Sequence, residues 1–214
     1  MKLGLLSDIH GDAVALELAW AHLTVMGAER IVCAGDLVGY GPHPDRVVAF
    51  VAEHGIDCVR GNHDRWAIQR PPGVPDPFKG GLPSPETLAA LRCLPPDFLV
   101  NDGPRVGVIT HGAPGDDMTY ITRKSHPPAV LRGLLRGMTA QLLVVGHTHK
   151  PMWFRCEEGL VINPGSVVSA PVVSTSRSFA LLDWDAESVT FHDVESGEPI
   201  AIEPWEDDGF ENGR

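Results

Sequence analysis

Asp8 and His10 bring a carboxylate and an imidazole together at the end of an apolar run. Residues 3–6 read as a buried strand that Gly11 stops, so strand geometry persisting through Ile9 turns both side chains to one side. The same grammar recurs as Gly35-Asp36, Gly61-Asn62-His63-Asp64, Thr110-His111-Gly112 and Gly146-His147-Thr148-His149. Collected at strand ends are Asp8, His10, Asp36, Asn62, His111, His147 and His149. Carboxylates, an amide oxygen and imidazoles in this mixture suit borderline divalent ions such as Mn, Fe, Co, Ni or Zn better than an all-oxygen calcium or magnesium cage. They are too many for one tetrahedral zinc. They match two ions sharing a bridging carboxylate, an arrangement that activates a nucleophile and polarises phosphoryl oxygens.

Strands must carry these groups and helices must cover the strands. Helix formers fill 13–26, with Asp12 as N-cap and Gly27 as C-cap, and helices are expected again at 45–53, 86–94 and 127–138. Buried strands are expected at 30–35, 56–60 and 141–145, with a hairpin of 98–100 and 105–110 turning at Asn101-Asp102-Gly103. Short strands follow at 152–156, 160–162, 178–182 and 189–192. Strand-helix alternation followed by antiparallel strands predicts an α/β (α+β) fold, a four-layer α-β-β-α sandwich of two mixed sheets flanked by helices. A single Rossmann-like sheet is the rival. Prolines and glycines crowd 70–85, an irregular excursion long enough to wrap over a cleft.

The 214 residues, 43% of them apolar, suffice for one core. One domain over 1–200 and an acidic C-terminal tail over 201–214 are expected. Against 17 Lys and Arg stand 28 Asp and Glu, a formal charge of -11 that argues against long nucleic acid and anionic membrane surfaces as partners. A small phosphorylated substrate stays open, because bound cations invert the local field. Cys33, Cys58, Cys93 and Cys156 lack metal or redox spacing, and no run approaches membrane-spanning length, so a cytoplasmic setting is expected. Homo-oligomers are left open.

Together the motifs, with Gly39-Tyr40-Gly41-Pro42 and Asn163-Pro164-Gly165-Ser166, resemble the calcineurin-like metallophosphoesterase family, most of all its small bacterial phosphodiesterase-like branch, from residue 3 to about 184. The resemblance implies that Asp8, His10 and His149 hold one metal, that Asn62, His111 and His147 hold a second, and that Asp36 bridges. Manganese is the first expectation, with Fe, Ni, Co or Zn as alternatives. It further implies in-line attack of a metal-bridging hydroxide on phosphorus, with His63 facing the phosphate and Asp64 orienting the His63 ring. His43 and Arg123 are further candidates for substrate contact.

The substrate is less defined. Phosphoprotein phosphatases and dinucleoside tetraphosphatases of this family follow the second motif with arginine, where this chain has Leu37-Val38-Gly39-Tyr40. They also follow the third with glutamate, where this chain has Arg65-Trp66. A broad phosphodiesterase on small esters or cyclic nucleotides is therefore the leading expectation. Phosphomonoesterase or protein phosphatase, dinucleoside polyphosphate hydrolase, and a non-catalytic metal-stabilised interaction scaffold are the alternatives. The presence of His63 and Asp64 weighs against the scaffold.

Overall fold

Alternating apolar side chains build two sheets. The computed structural model describes residues 1–71, 74–168 and 177–205. Its elements run β1 (Lys2–Leu6), α1 (Ala13–Val25), β2 (Arg30–Cys33), α2 (Pro44–Glu53), β3 (Asp57–Cys58), α3 (Asn62–Gln69), α4 (Pro85–Cys93) and β4 (Asp97–Asp102). They continue with β5 (Arg105–Thr110), α5 (Pro128–Met138), β6 (Leu142–Val144), β7 (Met152–Cys156), β8 (Gly159–Asn163), β9 (Ser178–Asp183), β10 (Ser188–Asp193) and β11 (Pro199–Ile200).

One sheet has the order β11-β10-β9-β1-β2-β3 and the other β4-β5-β6-β8-β7. Both are mixed. In the first, β1, β2 and β3 are parallel neighbours while β9 returns antiparallel beside β1, with Leu5 opposite Val32 on one side and Ala180 on the other. In the second, β5, β6 and β8 are parallel, and β4 and β7 close the edges antiparallel.

Side-chain alternation separates three apolar layers. Leu3, Leu5 and Val32 meet Ile109, Leu142, Val144 and Ile162 between the sheets. Leu6 turns the other way onto Leu16 and Leu23 of α1 and Val47 of α2. Gly4 lets that helix approach, since a Cβ there would lie 2.8 Å from Leu23 Cδ1. On the far side, Leu143, Val145 and Val161 pack under Leu131 and Leu135 of α5. The result is the helix-sheet-sheet-helix sandwich expected, and the single-sheet alternative is excluded.

Some local expectations change. The strand expected at 56–60 shortens to β3, and Gly61 becomes the N-cap of α3, because Asp64 at the third helical position accepts the Gly61 N–H at 2.9 Å. The hairpin turns at Gly103-Pro104 rather than at Asn101-Asp102-Gly103, since Asn101 and Asp102 pair with Val106 and Arg105 and Gly103 supplies φ +60°. Of the expected tail, residues 201–205 run beside β7, where the Trp205 N–H donates to Trp153 O at 2.9 Å and Trp153 Nε1 donates to Ile202 O at 2.9 Å. Residues 206–214 lie outside the described ones. No helix among the described residues is long and apolar enough to cross a membrane.

Candidate metal centre

The strands stop before the polar residues they were expected to carry. β1 ends at Leu6 and β2 at Cys33, and beyond them Asp8 (φ 54°), His10 (49°), Asp36 (57°), His147 (65°) and His149 (57°) all adopt left-handed backbone. Such a conformation costs an L residue about 1 kcal/mol or more and persists only where the surroundings over-determine it. Here they do. Asp8 N donates to Gly35 O at 3.0 Å, His10 N to Asp36 O at 2.9 Å, and His147 N to Asp8 Oδ2 at 3.0 Å. Asp8 and His10 therefore converge through paired left-handed turns, which corrects the expectation of uninterrupted strand alternation.

Two groups of donor atoms result. Asp8, His10 and His149 each place one ligand atom within 4.8 Å of the others, and Asp36, His111 and His147 do the same; Asp36 also groups with His10 and His63. Asp36 Oδ2 lies between the two, 3.7 Å from His10 Nε2 and 3.3 Å from His111 Nε2. Asn62 Oδ1 adds an oxygen 2.9 Å from His111 Nε2. All seven expected ligand residues thus meet in one buried cluster.

Hydrogen bonds on the far side of the rings fix what the near side offers. His10 Nδ1 donates to Val38 O at 3.1 Å, His111 Nδ1 to Ala34 O at 2.7 Å, and His147 Nε2 to Met118 O at 3.2 Å. A ring nitrogen against a carbonyl must carry the hydrogen, so the opposite nitrogen presents its lone pair inward. The His111 lone pair then meets only acceptors, Asn62 Oδ1 and Asp36 Oδ2. A second proton or a cation answers that arrangement. For the side chains alone it is the proton: against the burial that pushes it down, the Asp36 carboxylate raises His111 to about 10. Asp36 is correspondingly held low, despite its burial, by His111. Asp8 Oδ1 is buried without a hydrogen-bond partner and faces His149 Nε2 at 3.2 Å. An orphaned carboxylate oxygen and inward lone pairs are the donor set that a divalent ion satisfies, so these residues fit a two-ion centre.

His63 sits beside this cluster with its N–H on Asp36 Oδ1 at 2.8 Å and its ring 4.7 to 5.0 Å, centroid to centroid, from His10, Tyr40, Trp66 and Phe78. Burial in that cage pushes it down to about 4. The expected pairing of Asp64 with the His63 ring is replaced by another. Asp64 Oδ2 accepts the N–H groups of Asp36 (3.1 Å) and Gly61 (2.9 Å), and Oδ1 accepts that of Val38 (3.1 Å). Burial and the Asp36 carboxylate push Asp64 up to about 7, against the N–H bonds that favour its anion. Behind the centre, Asn163 Nδ2 donates to Gly146 O at 2.7 Å and Ser166 Oγ to Asp8 O at 3.0 Å, bracing the loops that carry His147 and Asp8.

A cleft of about 210 Å³ opens over the cluster, walled by Asp36, Asn62, His63, His147 and His149 together with Tyr40, Trp66, Phe78, Met118 and Tyr120. No Lys or Arg lines it among the described residues. Arg65 is committed to Asp117 through bonds of 2.7 and 2.8 Å. His43 is exposed at the N-cap of α2 and does not line the cleft. Arg123 turns away to Pro204 O (3.0 Å) and the face of Trp205. From the Tyr120 to His126 loop it is Tyr120 that reaches the site, stacked on His147 at 4.2 Å. Tyr40, Trp66 and Phe78 carry no signal of their own as cleft walls in the sequence: Tyr40 and Trp66 merely flank the donor motifs, and nothing local marks Phe78.

Residues 1–187 match the profile of the calcineurin-like phosphoesterase superfamily domain. Phosphodiesterase YfcE of Escherichia coli strain K12 is 29% identical over 215 residues, covering 95% of this chain and 100% of YfcE. The crystal structure of a metallophosphoesterase from Sphaerobacter thermophilus is 29% identical with a TM-score of 0.69, covering 91% of this chain and 88% of that one. A hypothetical protein from Pyrococcus horikoshii has a TM-score of 0.77 at 23% identity over the same shares of the two chains, a likeness of fold alone.

Proposed function

Because the chain belongs to the calcineurin-like phosphoesterase superfamily, we propose that it is a dimetal-dependent phosphodiesterase acting on small esters. In this reading Asp8, His10 and His149 hold one ion, Asn62, His111 and His147 hold the other, and Asp36 serves both. Bound there, two divalent ions supply an activated water nucleophile and neutralise charge gained by the phosphoryl oxygens. The observation that carries the reading is Asp36 Oδ2, lying 3.7 Å from His10 Nε2 and 3.3 Å from His111 Nε2 at the junction of two donor groups.

The chain's own groups do the rest. Carbonyls of Ala34, Val38 and Met118 lock three imidazoles in the tautomer that points a lone pair inward. His63, lining the cleft beside Asp36, is neutral in the free protein, donates a ring N–H to a phosphoryl oxygen, and gives a proton to the departing oxygen only once the negative charge of the bound phosphoester has raised it to the imidazolium. Asp64 is a positioning residue that ties the Asp36 and Asn62 loops together. His43 and Arg123 have no part. A cleft wall without Lys or Arg among the described residues supports a diester, which carries one negative charge fewer than a fully ionised monoester.

The test is metal-free protein reconstituted separately with Mn, Ni, Fe, Co, Zn and Mg and assayed on an aryl phosphodiester, an aryl monoester, cyclic nucleotides and a dinucleoside tetraphosphate. Metal-dependent turnover led by the diester is expected. Turnover confined to the tetraphosphate, or absent with every metal and substrate, overturns the proposal.

A further inference from the structure

We propose that the apolar shelf beside the cleft, formed by Trp66 of α3 and residues 74–78, receives a flat, uncharged ring on the phosphoester, making this chain selective for aryl or heteroaryl esters over aliphatic or further phosphorylated ones. The inference rests on the phosphoester reading above and specifies its substrate class.

Trp66 and Phe78 wall both the cleft and an outer groove of about 530 Å³, so the two spaces adjoin across these rings. The two rings lie nearly parallel, 16° apart with centroids at 5.9 Å, and Val74, Pro75 and Pro77 extend the surface outward. Phe78 is 37% exposed and Val74 44%, apolar area left open beside a polar centre. Among the described residues that line the groove the one cation is Arg70, paired with Asp76 at 2.9 Å, the two side chains 12% and 4% exposed. That pairing leaves the groove wall itself little attraction for a second phosphate. An aromatic ring gains from both burial and stacking here.

The shelf is also preformed. Asp76 Oδ1 accepts the Phe78 N–H at 2.8 Å, and the Gly81 N–H donates to Gly41 O at 2.9 Å. At Gly80 a Cβ would fall 1.4 Å from Gly39 O, so residues 80–81 lie backbone to backbone on the loop that follows Asp36. A surface fixed in advance takes a ring with little ordering cost.

The test is calorimetric titration of manganese-loaded protein with phenylphosphonate and methylphosphonate, which share a head group and differ in the ring. The unmodified protein is expected to bind the phenyl compound about tenfold more tightly, a factor that corresponds to about 1.4 kcal/mol. In Phe78→Ala, and separately in Trp66→Ala, the ratio should fall to about 2 or less, whereas Phe78→Tyr should keep it. Equal binding in the unmodified protein, or a tenfold ratio surviving both alanine variants, refutes the shelf and leaves the phosphoester reading standing. Binding of neither phosphonate likewise refutes the shelf, whereas the phosphoester reading stands or falls on the turnover assay above.

Discussion

Replacing Asp64 separates a catalytic role from an architectural one. Asp64 is fully buried, and its oxygens accept the N–H groups of Asp36, Val38 and Gly61. Asp64→Ala leaves these buried donors without protein partners. Each buried donor left unsatisfied costs about 1–3 kcal/mol, so a total of about 3–6 kcal/mol is expected after partial relaxation. For a domain of this size that lowers Tm by on the order of 10 °C or more. Asp64→Asn keeps one acceptor oxygen but turns an NH₂ toward a backbone donor, and should cost about 1–3 kcal/mol. The assay is urea unfolding of both variants in metal-free and metal-loaded forms, with turnover measured on the same preparations. Loss of stability in the metal-free form, ordered Ala over Asn, is the expected result. Both variants unfolding within about 0.5 kcal/mol of the parent, with turnover abolished, would refute this and restore Asp64 to the His63 ring.

His63→Ala should retain the parent's metal stoichiometry by elemental analysis yet lose about 10²–10⁴-fold in turnover, the range of a general acid; a lost metal would instead make His63 a ligand with His10 and Asp36. Gly61→Ala should weaken metal binding at least about tenfold, about 1.4 kcal/mol, in competition with a fluorescent chelator, because its Cβ would lie 2.1 Å from Asp36 Oδ1. Chelation should lower Tm and added manganese should restore it, since a ligand at a hundredfold excess over Kd stabilises by about 2.7 kcal/mol; a Tm indifferent to both would contradict the donor geometry.

The layers and the members of the buried donor cluster were legible because each rests on a local signal. Leu3, Leu5 and Leu6 announce a buried strand, and Asp8, His10, Asp36 and the later histidines each follow such a strand beside glycine. How the ligands turn inward was not legible. Left-handed backbone at Asp8, His10, Asp36, His147 and His149 is imposed by hydrogen bonds between loops far apart in sequence, which no local pattern encodes. Asp64 was misassigned for a related reason: adjacency to His63 suggested a pair, but at the start of α3 the carboxylate faces back onto the Asp36 loop. Phe78 was invisible among prolines, because its place over His63 comes from the Arg70–Asp76 pair and the Gly80 contact.

Anomalous diffraction from manganese-soaked crystals tests the centre most directly. Two peaks about 3.5–4 Å apart are expected, one among Asp8, His10 and His149, the other among Asn62, His111 and His147, each with an Asp36 oxygen in its coordination shell. A single peak, or a pair that leaves Asp36 uncoordinated, would contradict the two-ion centre.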